Sequence, residues 1–423
     1  MFAAGFGPGG RPVELENMLA SLREGTWLTA ERLRVYSLMF VAAYALGTLV
    51  WFGTAHGLLD WKNRPLGSDF AQVYASGTLV LEGRPEAPYD NAAEFARQRQ
   101  IFGEKTDLFT WGYPPVFLPV AALLACLPYL AALFLWQGLT LAGALAAYRK
   151  ILPSRAAILP ALAFPAVYVN FGHGQTGFAI AGLFAGALLC LEKRPAIAGV
   201  LFGLAAFKPQ LGLLVPVALV AGGHWRAFAA AAITVVALAL ATWAGFGGAT
   251  WTAFADALPE LRKHGLEYSN TGFHKMQSLF AAVRLVDGPV GLAYALHGTL
   301  VAGLVGAIAW LWRGDAARPL KYAALPVAAA LATPYGFDYD LVLIGPAIAF
   351  MAAHGLARGF LPWEKSLLAL AWLMPIVARG IAEALYVPFG WLVAMALFAL
   401  ILRRVASETA IARVAAPVRS ISS

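Results

Sequence analysis

Residues 225–246 read WRAFAAAAITVVALALATWAGF, with Arg226 the one charged side chain in the run. At 1.5 Å per residue a helix of this length spans about 30 Å, the thickness of a bilayer's hydrocarbon core. Residues 33–56, LRVYSLMFVAAYALGTLVWFGTAH, and the apolar run from Leu367 to Ile381 read the same way. The pattern extends along the chain: of 423 residues 60% are hydrophobic and 13% charged, and mean hydropathy is +0.68. A soluble domain carries about 25% charged residues. The fold class is therefore all-α, a polytopic transmembrane helical bundle. The 13 Trp and 14 Tyr, many near the ends of apolar runs, fit aromatic belts at the membrane surfaces. Cys126 and Cys190 lie inside apolar stretches, so no disulfide framework is expected. The first long run is too long for a cleavable signal peptide.

About twelve spans are expected, near 33–56, 114–149, 155–172, 175–192, 195–207, 209–222, 226–245, 289–311, 319–333, 338–357, 365–384 and 387–403. The 114–149 stretch holds Pro119 and Pro128. It reads as one long kinked helix, as a re-entrant piece plus a span, or as two spans. With a single crossing there and a cytoplasmic N-terminus, most of the 31 Lys and Arg fall inside, from Arg11 through Arg149, Lys150, Arg226 and Arg313 to Arg404, Arg413 and Arg419. That is the positive-inside pattern, and two crossings would break it downstream. It gives a cytoplasmic segment 1–32, a transmembrane domain 33–403 and a cytoplasmic tail 404–423, with long external loops at 57–113 and 246–288. The pI near 9.5 reflects orientation; without a basic stripe interleaved with aromatics, no nucleic-acid partner is expected. No GxxxxGKS phosphate loop is present, so a cytosolic nucleotide site is unsupported.

Chemistry concentrates at a few junctions. After Ser68-Asp69, apolar residues at Phe70, Val73, Tyr74, Gly77 and Leu81 form one face of a helix lying on the membrane surface. Asp69 reads either as that helix's N-cap or as a general base meeting a lipid-borne substrate. Tyr113-Pro114-Pro115 fixes an extended entry into the next helix, and Trp111 beside it reads as an interfacial anchor. Asn170-Phe171-Gly172-His173-Gly174-Gln175 is an external helix junction whose polar groups face protein or water. Phe207-Lys208-Pro209-Gln210 joins two apolar runs too short to span the bilayer. Their tips should line a recessed cavity, where Lys208 suits a phosphate unless it snorkels. In the second loop His274 and Lys275 suit a phosphate or a sugar, and Gln277 follows them. Tyr335, Asp338 and Asp340 sit at another external junction, where the acids read as helix caps or as sugar ligands. Arg379 and Glu383 read as an i, i+4 salt bridge or as part of the site.

In their order and spacing these segments resemble glycosyltransferase family 87 of the GT-C superfamily, which includes polyprenol-phosphate-mannose-dependent α-mannosyltransferases. The resemblance rests on Ser68-Asp69-Phe70 with Tyr74, Gly83 and Tyr89; on Tyr113-Pro114-Pro115; on Gly174-Gln175; on Gly199 to Lys208-Pro209; and on Trp225-Arg226 and Ser278-Leu279. It implies a GT-C-type bundle taking a sugar, mannose first, from a polyprenyl-phosphate-sugar donor to a glycan or glycolipid acceptor. Transfer would occur on the extracytoplasmic face of the plasma membrane. The family's essential carboxylate maps to Asp69 and its lysine-proline junction to Lys208. His274, Lys275 and Arg379 join Lys208 as donor-phosphate candidates. Tyr74, Tyr113, His173, Gln175, Gln210, Gln277, Tyr335 and Asp338 are candidate substrate contacts. No cofactor or tight metal site is expected. The rival readings are a lipid or glycan transporter, a lipid-phosphate hydrolase and a non-catalytic assembly subunit.

Overall fold

The computed structural model describes residues 13–415; Arg11, Arg419 and the tail from residue 416 lie outside the described residues. Helices dominate, and the extended backbone consists of isolated bridges such as Met276 with Phe337. Among the described residues six helices are long and apolar enough to cross a bilayer: Ala30–Gly53, Tyr129–Ile151, Trp225–Phe246, Val290–Arg313, Asp338–Arg358 and Phe389–Ile411. A seventh candidate, Glu364–Ile376 with Ala378–Leu385, bends by 71°. Two of the six turn most of their length outward. Leu46 and Leu49 on Ala30–Gly53, and Ile233 and Leu240 on Trp225–Phe246, are exposed. In water such surfaces drive aggregation, whereas in lipid they are the matching solvent. The chain is a multi-pass membrane protein.

The expected count of about twelve spans differs from these six or seven for a physical reason. The runs at 155–172, 175–192 and 319–333 form shorter helices, Pro165–His173, Gly177–Cys190 and Arg318–Ala332. At 14 residues, Gly177–Cys190 reaches about 21 Å. Phe178, Ile180, Phe184 and Leu188 on it are fully enclosed by protein. A helix that is apolar all round is as much at home in a protein core as in lipid, and hydropathy does not separate the two. The runs meeting at Lys208 are short, as the sequence predicts: Pro195–Phe207 and Pro209–Ala221.

The ambiguous 114–149 stretch divides into Leu118–Ala125 and the full-length Tyr129–Ile151, with Pro128 capping the second. The short piece packs against Phe70–Leu81. A Cβ on Gly77 would lie 2.1 Å from the Ala121 carbonyl oxygen, so only glycine lets the two backbones meet. Phe70–Leu81 is therefore not a surface helix with one wetted face. Phe70, Ala71, Val73, Ala75 and Leu79 are all buried, as are Gln72 and Ser76.

The two ends of the described chain meet at one end of the bundle. Trp363 N–H donates to the Arg23 carbonyl at 2.6 Å, and Trp27 Nε1 to Ser366 Oγ at 2.7 Å. The last helix continues to Ala415 without a break at 403. There buried Arg404 holds Glu364 at 2.9 Å and Glu408 at 2.7 Å. Both cysteines are free.

Candidate active site

Two glycines in left-handed backbone bring the segment that precedes Phe70–Leu81 onto the 170–177 junction. Gly67 has φ +73° and Gly174 φ +63°. A Cβ on Gly174 would stand 2.7 Å from Phe70 Cβ and 2.9 Å from the Gly67 carbonyl. With that clearance Asp69 N–H donates to the His173 carbonyl at 3.1 Å. A buried amide network fixes the junction from behind. Asn170 Oδ1 accepts from Gly177 N–H at 2.9 Å, and Gln137 Nε2 donates to the Gln175 carbonyl at 2.9 Å. Gly174→Ala is expected to cost more than the roughly 1–2 kcal/mol of left-handed backbone strain alone, because Phe70 must also shift. A fall of several degrees in the unfolding temperature of detergent-solubilised protein, with loss of the site's activity, is the expected measurement.

Asp69 does not cap its helix; its carboxylate makes no bond to the helix backbone. Gln175 Nε2 donates to Oδ2 at 2.9 Å, Ser68 Oγ to Oδ1 at 3.3 Å, and His173 Nδ1 stands 3.8 Å from Oδ1. Burial pushes this carboxyl up, but the adjacent His173, then Gln175 and Ser68, outweigh it and hold the group below the usual carboxylate range. Asp69 thus stays ionised while facing a cavity of about 1080 Å³. The same cavity is lined by His173, Lys275, Tyr335 and Arg379. Lys275 is held below its ordinary value by burial and then by the charges of Arg379 and Arg64, so these three cations share one region. Arg379 pairs with Asp338 and His173: its Nε donates to Asp338 Oδ2 at 2.6 Å and its Nη2 lies 3.2 Å from His173 Nε2.

Other candidates are placed differently. Lys208 lines a small adjoining pocket, with Tyr113, Gln175, Gln210 and Tyr335. There its ammonium is bonded to Asp340 Oδ1 at 2.6 Å and lies over the Tyr339 ring. Tyr113 donates to Gln175 Oε1 at 2.9 Å. Tyr74 is turned into the protein, donating to the Leu127 carbonyl at 2.9 Å. Gln277 is buried under the Gly336 turn. Asp338 is buried behind Arg379. His274 is absent from the walls of both cavities, and burial, with Lys275 and Arg379 nearby, holds its imidazole below the usual value. Sequence reasoning missed Arg64, which carries no motif, and Ser68, whose value lies in its bond to His173 at 3.0 Å.

The cavity wall at Thr110 to Gly112 is held by a buried carboxyl. Gln98 clamps Phe109, accepting from its N–H at 2.9 Å and donating to its carbonyl at 2.7 Å. Gln98 also donates to Glu94 Oε1 at 2.9 Å. Burial raises the Glu94 carboxyl to about 8, despite opposing bonds from Gln98 and Ser76 and the Arg97 charge. A raised acid favours the folded state below its unfolded pKa. That contribution is lost as pH rises from about 4.5 to about 8, at about 1.4 kcal/mol per pH unit. Glu94→Gln should flatten this dependence and raise stability at pH 8, read from unfolding temperatures between pH 5 and 9.

The model of glycosyltransferase family 87 matches residues 109–334. The chain belongs to glycosyltransferase family 87. No curated protein and no solved structure matches the chain. The family match covers Tyr113, His173, Gln175, Lys208, Gln210, His274, Lys275 and Gln277. Asp69, which meets the family region through Gln175, lies upstream of it, and Arg379, which meets it through His173, lies downstream. As a member of glycosyltransferase family 87 this protein is a membrane glycosyltransferase, an enzyme that needs a sugar donor, an acceptor and the bilayer.

Proposed function

We propose that this glycosyltransferase moves a sugar, mannose first among the candidates, from a polyprenyl-phosphate-sugar to an acceptor hydroxyl on a glycan or glycolipid. The observation that carries the reading is the Asp69 carboxylate, held ionised by His173, Gln175 and Ser68 in the wall of a cavity that also holds Lys275 and Arg379. Asp69 takes the proton of the acceptor hydroxyl as that oxygen attacks the anomeric carbon. The bond from anomeric carbon to phosphate oxygen breaks on the opposite side, and polyprenyl phosphate leaves. Lys275, Arg379 and Arg64 meet the charge that develops on it. A single displacement inverts the anomeric centre without a covalent enzyme intermediate, so one carboxylate suffices. Lys208, neutralised by Asp340, is assigned here to holding the pocket floor rather than to the phosphate. The cavity lies at the upper end of ordinary ligand-pocket volumes, which suits a phosphosugar and an acceptor held together.

We put the protein in the plasma membrane with both termini cytoplasmic and the site extracytoplasmic. This is supported by the meeting of the 23–27 and 363–366 segments with Arg404 at one end of the bundle, and by the 24-residue helix between that end and the segment carrying Asp69, about 36 Å long. The reaction as written uses no cofactor; loss of transfer on chelation and recovery with a divalent ion would overturn that part. The main test incubates purified protein in vesicles with radiolabelled polyprenyl-phosphate mannose, glucose and arabinofuranose and a membrane extract. A new labelled glycoconjugate with inverted linkage is expected. Movement of intact donor across the bilayer without bond transfer would make the protein a transporter instead.

A further inference from the structure

We infer that His173 is a positioning residue for Asp69: Arg379 fixes it as the Nδ1–H tautomer, and through Ser68 it orients the carboxylate. The inference rests on the general-base reading of Asp69. A guanidinium carries only donors. Arg379 Nη2 stands 3.2 Å from His173 Nε2, so that nitrogen must accept. In an imidazole that accepts at Nε2 the proton is on Nδ1. Nδ1 lies 3.0 Å from Ser68 Oγ, to which it donates. The serine's own hydrogen is then free to point at Asp69 Oδ1, 3.3 Å away. The direction of every bond follows from one end.

The opposite tautomer breaks the chain twice. It sets Nε2–H against a guanidinium N–H, and it draws the Ser68 hydrogen to the now-accepting Nδ1. Asp69 would keep only the bond from Gln175 to Oδ2. Arg379 cannot swing away at little cost, because Asp338 grips its Nε at 2.6 Å while itself accepting from Tyr339 N–H at 2.9 Å. Two consequences separate this arrangement from a plain substrate-contact role for His173. With Nε2 occupied by a cation, His173 is not a second base beside Asp69. Arg379 also works twice, as a cation lining the cavity and as the group that sets the tautomer behind the base.

A double-mutant cycle tests the chain in the full-length protein in nanodiscs. Ser68→Ala and His173→Ala should each lower kcat roughly 10- to 100-fold, as misplacement of a reacting group does, with KM for the donor nearly unchanged. The double variant should be no slower than the worse single one, because both remove the same link. His173→Asn, whose amide N–H stands near the place of Nδ1–H, should recover at least part of the lost kcat; His173→Gln should not. Nitrogen-15 spectra of histidine-labelled protein should show an Nδ1–H ring that is lost or reversed in Arg379→Met. Additive losses in the cycle, a change confined to KM, or an Nε2–H ring at His173 overturns the inference. If Asp69→Asn keeps full transfer while the cycle and the spectra behave as expected, the general-base reading fails and the hydrogen-bond chain stands. If Asp69→Asn is inactive and the cycle is additive, the reverse holds.

Discussion

Asp69→Asn is expected to lower kcat for sugar transfer by roughly 10²- to 10⁴-fold, the range that a positioned general base supplies. The substitution is nearly isosteric, and the surroundings accommodate an amide. The amide oxygen accepts the Gln175 N–H as Oδ2 does at 2.9 Å. The amide nitrogen meets Ser68 Oγ, which can accept as well as donate. Folding should therefore be little changed, and so should donor affinity, since the phosphate is assigned to Lys275, Arg379 and Arg64. What is lost is the ability to take a proton. The pH profile should change in kind: the wild type loses activity on acidification as Asp69 protonates, below the usual carboxylate range, and the residual activity of the variant should lack that limb. Single-turnover transfer from a labelled donor between pH 3 and 8, with donor binding measured in parallel, reads both effects. Wild-type kcat in this variant removes the assignment.

Lys208→Met is expected to be among the most destabilising single changes in the protein, by about 3–5 kcal/mol, because it leaves a buried carboxylate without its counter-ion. Lys208 and Asp340 are both buried and 2.6 Å apart. Asp340 also accepts from the Phe337 N–H at 3.2 Å, so its loss frees a backbone donor as well. Pairing Lys208→Met with Asp340→Asn removes both charges and keeps an acceptor for Phe337. Most of the stability should return, since neutralising a buried pair together is far cheaper than breaking it. Unfolding temperatures of the single and double variants in detergent measure this. The double variant also decides a functional point: a Lys208 that grips the donor phosphate leaves it folded but inactive, whereas a Lys208 that only neutralises Asp340 leaves a protein that transfers sugar. A Lys208→Met protein as stable as wild type would mean that the pair contributes nothing.

The sequence and the structure diverge in an instructive order. Asp69, His173 and Gln175 were legible as polar groups in small-residue junctions, and they do come together, because Gly67 and Gly174 permit an approach that a Cβ blocks. From residue type alone, helix capping is the stronger reading of Asp69; only the side chain's direction decides against it. Lys208 was legible as a cation at depth, but its partner lies 132 residues away, and one sequence gives no sign of such pairs. For the same reason the i, i+4 spacing of Arg379 and Glu383 points to the wrong partner: local spacing is visible, while Asp338 and His173 are brought in by the fold. Tyr74 and Gln277 look like substrate ligands by type and prove to be internal, bonded to Leu127 and seated under Gly336. The expected span count exceeds the six or seven full-length candidates where hydropathy must tell lipid from protein as the neighbour of an apolar helix, as at Gly177–Cys190.

The crossing of remote segments at the site has a bearing on how the protein is made. Gln175 reaches Asp69 across 106 residues, and Arg379 reaches His173 across 206. A chain made from its N-terminus presents Asp69 early, when neither Gln175 nor Arg379 has yet been synthesised. The carboxylate then has no orienting partners and the cation that sets the histidine is missing. On the proposed reading, an unfinished or truncated chain therefore carries Asp69 but not the residues that orient it, and should spend no sugar donor on water before the last helices are in place.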